Sequence, residues 1–527
     1  MSAVLSVSMT DEEIISYNPA TGEEIGRVEN NSAENVRIAV RKSVEAFEKW
    51  RGISFAERAR FIIKAREIIL SEMDEIARLI SDESGKPVAE AFSAEIAPVL
   101  DLMQYFARNA RKILKPEKIN IGQLKFLGRS SKIIYKPLGV IGIISPWNFP
   151  FSIPLGEVVM ALMAGNTVVL KPSELTPLVG QKIGEIFEKA GLPENVLQIV
   201  TGDGKTGAAI VEAGVNKIMF TGSVATGRKI AANAAKTLTP VVLELGGKDP
   251  MIVFADADTE AASSAAVWGA FTNSGQACSS VERLYVEESI ADEFINLVVA
   301  KTKKLQQNLG SEETTDIGAM VSENQLKIVE DHVADFEKSG AKILTGGRRN
   351  KDFEGTFFQP TVIAGVNNEM RGMREETFGP TLPIAIFTTE EKAVELANDT
   401  DFGLTASVWT RNIPKGKRVA EKILAGTVTI NEVLYTHGIG QTPWGGFKQS
   451  GYGRTHGKLG LLELVAPQHI HINRSTLLPN VWWFGYSANA IETFRGFARH
   501  FASGSLFQTV RLAPQLLKRI RELKRKQ

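Results

Sequence analysis

Along residues 140–244, short continuous apolar runs alternate with longer segments whose apolar residues recur at helical spacing. The runs at 140–144, 167–170, 196–200, 217–221 and 241–243 read as strands, and the stretches near 154–164, 177–190, 204–213 and 226–236 as helices. Uninterrupted apolar strands separated by helices predict a parallel sheet covered on both faces, with ligands at the carboxyl ends of its strands. A second alternating set has strand-like 251–254, 283–286, 382–387 and 427–430 and helices near 290–305, 323–339, 390–398 and 413–424. The two sets meet near 244–250, which predicts an α/β fold with two units and a cleft between them.

The flanks follow other patterns. Residues 11–30 predict short strands around an Asn18-Pro19 and Thr21-Gly22 turn, and 33–114 is a helical lead-in, broken at Gly85-Lys-Pro87, with no assignable chemistry. At the far end, Leu477-Leu-Pro-Asn-Val-Trp-Trp-Phe-Gly-Tyr486 clusters aromatics, and Phe494, Phe497 and Phe501 share a helix face opposite Arg495 and Arg499. A last helix, expected to begin near Pro514, sets Leu516, Leu517, Ile520 and Leu523 against Lys518, Arg521 and Arg525.

A chain of 527 residues exceeds one ordinary core, and 43% hydrophobic with 23% charged residues is a globular balance. The formal net charge is +1, yet residues 474–527 carry ten Lys/Arg against Glu492 and Glu522, a local +8 that leaves about −7 for the rest. A single cysteine fits a reducing compartment, read as the cytoplasm, or indifference to oxidation. Residues 1–10 lack the pattern of a signal peptide, and the most apolar stretch, 475–491, is interrupted by Pro479, Asn480, Gly485, Ser487 and Asn489, which argues against a membrane span.

That lone cysteine, Cys278, lies among small and polar residues in Phe271-Thr-Asn-Ser-Gly-Gln-Ala-Cys278. It is either a buried apolar filler or a nucleophile. Gly222-Ser-Val-Ala-Thr-Gly227 joins the run at 217–221 to a helix, where backbone amides face a diphosphate or simply form a tight turn. Lys171-Pro-Ser-Glu174 follows the run at 167–170; Glu174 there suits the two ribose hydroxyls of NAD and repels a 2′-phosphate, or forms a solvated pair with Lys171 ahead of a Thr176-Pro177 helix cap. Glu244 directly follows an apolar strand, where desolvation raises a carboxyl toward general-base range, unless it caps a helix or pairs with Lys248. Asn148, between Pro146 and Pro150, is placed to donate to an oxyanion or to close a turn. His469 and His471 share a strand face without acidic or cysteine neighbours, so no metal site is expected.

Taken together, Pro146-Trp-Asn-Phe-Pro150, Lys171-Pro-Ser-Glu174, Phe220-Thr-Gly-Ser223 with Gly227, Glu244-Leu-Gly-Gly-Lys248, Gly275-Gln-Ala-Cys278, Glu375-Glu-Thr-Phe-Gly-Pro380 and Pro443-Trp-Gly-Gly-Phe-Lys-Gln-Ser-Gly451 make residues 17–465 resemble the aldehyde dehydrogenase superfamily. The resemblance implies a Rossmann-like cofactor domain (1–118 and 138–246), an α/β catalytic domain (247–446), a small β oligomerisation arm (119–137 and 457–473) that builds homodimers or homotetramers, and a basic amphipathic extension (474–527). It implies Cys278 as nucleophile, Asn148 and the Cys278 amide as oxyanion hole, and Glu244 as the base that activates water. Lys171 and Glu174 would hold the adenosine ribose of NAD, or of NADP, Ser223 the diphosphate, and Glu376 and Phe378 the nicotinamide end; Pro146, Trp147, Ser173, Gly222 and Gly227 would line the same cofactor site.

Members that pass the acyl group to coenzyme A typically lack the glutamate, so Glu244 implies hydrolysis to a free acid. Semialdehyde-oxidising members commonly carry an arginine where this chain has Gly156; the next residue is Glu157, and the second cysteine of many succinate semialdehyde enzymes is Ser280 here. These departures imply an apolar aldehyde, aliphatic or aromatic. Arg283 matches the family and reads as structural. The extension has the pattern of a segment lying on an anionic membrane surface, with a tail packed on its own subunit or a partner as the alternative, and it is too short, and without a recognised module, for nucleic acid.

Overall fold

Alternating residues at the start of the chain form an antiparallel sheet of β1 (Val7–Met9), β2 (Glu13–Tyr17) and β3 (Glu24–Glu29), in which buried Ile14 lies opposite buried Val28. The computed structural model describes residues 7–122, 125, 128–474, 478–503 and 506–526; the expectation for 1–10 therefore lies partly outside the described residues, as does Leu477. The helical lead-in comprises Ala33–Trp50, Phe55–Ser71, Met73–Ser84 and Ala97–Ile113. Ser54 and Glu57 close a reciprocal capping box at the second, and Gly85, at φ +78°, ends the third. Ala91–Ile96 is a π-helical turn. Two strands follow, β4 (Glu117–Ile119) and β5 (Arg129–Pro137).

The next strands are β6 (Val140–Ile144), β7 (Thr167–Lys171), β8 (Leu197–Ile199), β9 (Lys217–Thr221) and β10 (Val241–Glu244). A second series comprises β11 (Asp249–Val253), β12 (Val281–Glu287), β13 (Lys342–Thr345), β14 (Thr361–Ala364), β15 (Thr381–Phe387), β16 (Thr405–Trp409) and β17 (Thr427–Ile430), and then come β18 (Gly451–Tyr452) and β19 (Val465–Asn473). The first sheet has the order β18-β10-β9-β6-β7-β8, parallel except for β18. The chain goes from β6 outward to β7 and β8, then returns to β9 on the other side. The carboxyl edge between β6 and β9 is therefore the switch point where such sheets bind ligands.

The second sheet has the order β13-β14-β15-β12-β11-β16-β17, with β13 antiparallel. Sequence patterning missed β13, β14 and β16, which are short or built from Thr, Ala and Ser, and the helix Thr259–Phe271, whose buried residues are spread around it without an apolar stripe. Arg283 is structural: it is fully buried and donates to the carbonyls of Lys248, Leu396 and Ala397. Only residues 245–248 separate β10 from β11, so the carboxyl edge of the first sheet adjoins the amino edge of the second.

Residues 115–135 and 467–527 form a separate compact unit, containing the sheet β19-β5-β4 and the helices Ala488–Ser503 and Leu506–Lys526. His471 Nδ1 lies 2.8 Å from Ser131 Oγ. The last helix does not begin at Pro514; that proline lies inside it. Packing overrides the lost backbone donor: Leu512, Arg519 and Leu523 are buried, and a side chain at Gly496 would meet Leu512 at 2.6 Å. The seam also includes charged Arg519 and leaves Leu517 exposed, so the buried face is rotated from the expected Leu516–Leu517–Ile520–Leu523 stripe. No helix of the described residues is long and apolar enough to cross a membrane.

Candidate active site

The turn before Cys278 bends through three residues in the left-handed region: Asn273 (φ 52°), Ser274 (φ 56°) and Gly275 (φ 72°). Only the last is a glycine, and a Cβ there would sit 2.1 Å from the Gly379 carbonyl. The strained pair is held by hydrogen bonds. Glu90 accepts from the Thr272 hydroxyl at 3.0 Å and the Asn273 amide at 2.9 Å, Ser274 Oγ donates to the Gly318 carbonyl at 2.9 Å, and Gln276 Oε1 accepts from Val321 N at 3.0 Å. Backbone strain fixed in this way marks an over-determined position.

Asn148, buried in the loop after β6, is anchored through its carbonyl, which accepts from Lys86 Nζ at 2.7 Å and Asn273 Nδ2 at 2.9 Å. The same Asn273 amide reaches the Gln276 carbonyl, so the Asn148 loop and the Cys278 turn share one network. Lys86 is itself paired with buried Glu95 at 2.6 Å, and Glu95 accepts from the amides of Phe151 and Ser152. The helical lead-in, expected to hold no chemistry, thus supplies Lys86, Glu90 and Glu95; the only sign in the sequence was the Gly85-Lys-Pro87 break.

Glu244 ends β10. Neither carboxylate oxygen has a hydrogen-bond partner among the described residues, and Lys248 pairs with Glu282 instead, so Glu244 is neither a cap nor the lysine's partner. A side chain at Gly247 would lie 2.4 Å from the Cys278 carbonyl, which shows how closely the β10–β11 connection approaches the cysteine. Glu244, Cys278, Glu157, His437 and His456 line one cavity of about 20 Å³, room for one water molecule. Cys278 also opens onto a cavity of about 490 Å³ lined by Ala97, Pro98, Phe149, Ile153, Trp268 and Leu434, with Asp101 and Tyr435 among its polar walls.

The remaining candidates gather at the same edge. Ser145 N donates to the Lys171 carbonyl and Gly222 N to the Glu244 carbonyl, which joins the loops after β6 and β7 and those after β9 and β10. Lys171 pairs with Glu174 at 2.8 Å, while Ser173 Oγ accepts from Leu175 N. Thr176 does not cap the following helix; its amino end is capped instead by Glu83, which accepts from Leu178 N at 3.0 Å and Val179 N at 2.8 Å. Ser223 caps the helix Val224–Ala235, and a Cβ at Gly227 would meet Leu245 at 2.7 Å. Glu376 accepts from Gly247 N at 2.8 Å, and Phe378 (φ 51°) meets Trp147, the neighbour of Pro146, edge to face at 5.3 Å.

The Aldehyde dehydrogenase family profile matches residues 7–470. The chain belongs to the aldehyde dehydrogenase family. It is 40% identical to the 4,4'-diapolycopene aldehyde oxidase of Methylomonas sp. over 97% of this chain and 95% of that protein. Among solved structures, it resembles the NAD-dependent aldehyde dehydrogenase from Sinorhizobium meliloti (39% identity, TM-score 0.86, 90% of this chain and 95% of that one). It also resembles a betaine aldehyde dehydrogenase from Staphylococcus aureus in complex with NAD+ (34% identity, TM-score 0.85, 90% and 94%). Other relatives are named for succinate-semialdehyde and aminoaldehyde oxidation.

In this aldehyde dehydrogenase family member, burial pushes Cys278, Glu244, Glu157, His437 and His456 toward their neutral forms. The Cys278 thiol is raised well above its ordinary range, first by burial and then by the carboxylates of Asp249, Glu376 and Glu244. Burial, then repulsion from Glu157, raises Glu244, with Arg454 opposing. Glu157 is pushed up to about 8 by burial, and His437, 4.7 Å from His456 between ring centres, is lowered to about 4. Glu157 and the two histidines were not singled out from sequence as site groups, because their proximity to Glu244 is set by three separate segments. The cofactor edge fits a dinucleotide: the amino end of the helix Val224–Ala235 at Ser223, a buried lysine beside a half-exposed carboxylate at Lys171 and Glu174, and a second, partly buried carboxylate, Glu376, pushed up to about 8 chiefly by desolvation.

Proposed function

We propose that this enzyme oxidises a long apolar aldehyde to the carboxylic acid, with NAD as hydride acceptor, through a thioester on Cys278. The observation that carries this reading is the one-water cavity shared by Cys278 and Glu244. Cys278 Sγ, its proton passed to the Glu244 carboxylate through the water between them and on to solvent, adds to the carbonyl carbon, and the new alkoxide is met by the Asn148 side-chain amide and the Cys278 backbone N–H. NAD supplies the site that accepts the hydride when the C=O bond re-forms. Glu244 then takes a proton from water, hydroxide adds to the thioester carbon, and the C–S bond breaks to return the thiolate and release the acid. Glu174 beside Lys171 supports NAD over NADP, and Ser223, Glu376 and Phe378 serve the diphosphate and nicotinamide ends.

The substrate class rests on the apolar lining of the 490 Å³ cavity, which among the described residues holds no lysine or arginine, and on the polyene named in the Methylomonas relative. Asp101 with Phe149, Trp268 and Tyr435 favours a second reading, a cationic aminoaldehyde. Acid formation from decanal, betaine aldehyde and succinate semialdehyde, with NAD and without coenzyme A, separates these: decanal is expected to give the highest kcat/KM, and a strict coenzyme A requirement overturns the hydrolytic mechanism. We assign the sheet β19-β5-β4 to subunit contacts in a homodimer or homotetramer, checked by native mass.

A further inference from the structure

We propose that the aromatic loop 478–486, with the basic helical hairpin behind it, is a docking surface for an anionic lipid bilayer. The loop presents Trp482, Trp483, Phe484 and Tyr486 to solvent at 41%, 50%, 85% and 61% exposure. Four adjacent exposed aromatics form an apolar patch that calls for a partner. The loop is a built feature of the unit, because Arg519, fully buried in the last helix, reaches across and donates to the carbonyls of Val481 at 3.3 Å, Trp483 at 2.7 Å and Gly485 at 2.8 Å. Three carbonyls held by one guanidinium fix the loop backbone and oppose collapse of its rings onto the hairpin. Trp482 stacks on Phe494 at 6.0 Å and lies tilted against Phe497 at 4.7 Å, which props one side of the loop, while Phe484 is the most exposed of the four aromatics.

The charge of the unit that carries the patch selects the occupant. Arg499, Arg511, Lys518, Arg521, Lys524 and Arg525 are all exposed on the two helices, within a segment of net +8. Trp and Tyr suit the boundary between headgroups and acyl chains, and the exposed cations of the two helices suit acidic headgroups. A second copy of the chain docked about a two-fold axis would set this +8 segment against itself, which disfavours that occupant. The proposal is compatible with an apolar aldehyde substrate, which would partition into the same bilayer, but it does not depend on the substrate reading.

The test is co-sedimentation of the full chain with phosphatidylcholine vesicles, with or without about 30 mol% phosphatidylglycerol. The expected result is binding to the anionic vesicles alone at about 0.1 M salt and its loss near 1 M salt. Trp483→Ser with Phe484→Ser, and separately Arg521→Glu with Arg525→Glu, should each weaken binding at least about tenfold, with decanal oxidation in detergent unchanged. Equal sedimentation with and without phosphatidylglycerol, or variants that bind like the parent, overturns the proposal. So does a fall in native mass in either variant, which assigns the patch to a second copy. Vesicle binding without aldehyde or NAD keeps this result separate from any failure of the catalytic reading.

Discussion

The Asn273 side-chain amide donates to the Asn148 carbonyl over 2.9 Å, so the strained turn that ends in Cys278 and the loop carrying the oxyanion candidate are joined directly by one contact. Asn273 sits at φ 52°, where asparagine is better tolerated than alanine. Asn273→Ala is expected to lower kcat by about 10- to 100-fold with a smaller change in KM, because misplacement by about an ångström is costly to a reacting pair. Single-turnover acid formation is the measurement, and an unchanged kcat would remove the positioning role.

Lys86 and Glu95 are both fully buried and paired at 2.6 Å. Lys86→Ala leaves a carboxylate without its cation, and a loss of about 3–5 kcal/mol is expected in urea unfolding. Lys86→Met combined with Glu95→Leu should recover part of that stability and none of the activity, since the hold on the Asn148 carbonyl is gone.

Glu244 must be ionised to accept a proton from water, and burial with Glu157 nearby holds it in its acid form. Thioester hydrolysis should therefore rise with pH, with a midpoint well above the ordinary carboxylate range. Glu157→Gln removes the negative neighbour, stabilises the Glu244 carboxylate and moves the rising limb down by about one pH unit. Both carboxyls keep protons that the unfolded chain releases. Stability from them is full below the ordinary glutamate value and falls as pH rises toward the Glu157 value of about 8. The kcat–pH profile and the melting temperature across the same range check the two halves.

Lys171 and Glu174 pair at 2.8 Å at the end of β7. Preference for NAD is expected, and Glu174→Ser should raise kcat/KM for NADP relative to NAD by about tenfold by removing repulsion of a 2′-phosphate. Initial rates with each cofactor decide it.

The parallel sheets were legible in the sequence because a strand buried on both faces must be apolar throughout, as 140–144 and 217–221 are. Cys278, Glu244 and Asn148 stand out in the sequence as candidates because each sits in a short motif in fixed order. Sequence alone also set the basic, aromatic character of the extension. Tertiary structure decided what lies beside these residues: the Glu157 carboxyl raising Glu244, the Lys86 and Asn273 donors on the Asn148 carbonyl, and the Arg519 clasp on the aromatic loop. Each joins segments far apart in the chain, and local spacing carries no record of such contacts. It also decided that Pro514 lies within a helix, since packing of Leu512 and Leu523 outweighs the local signal of a proline.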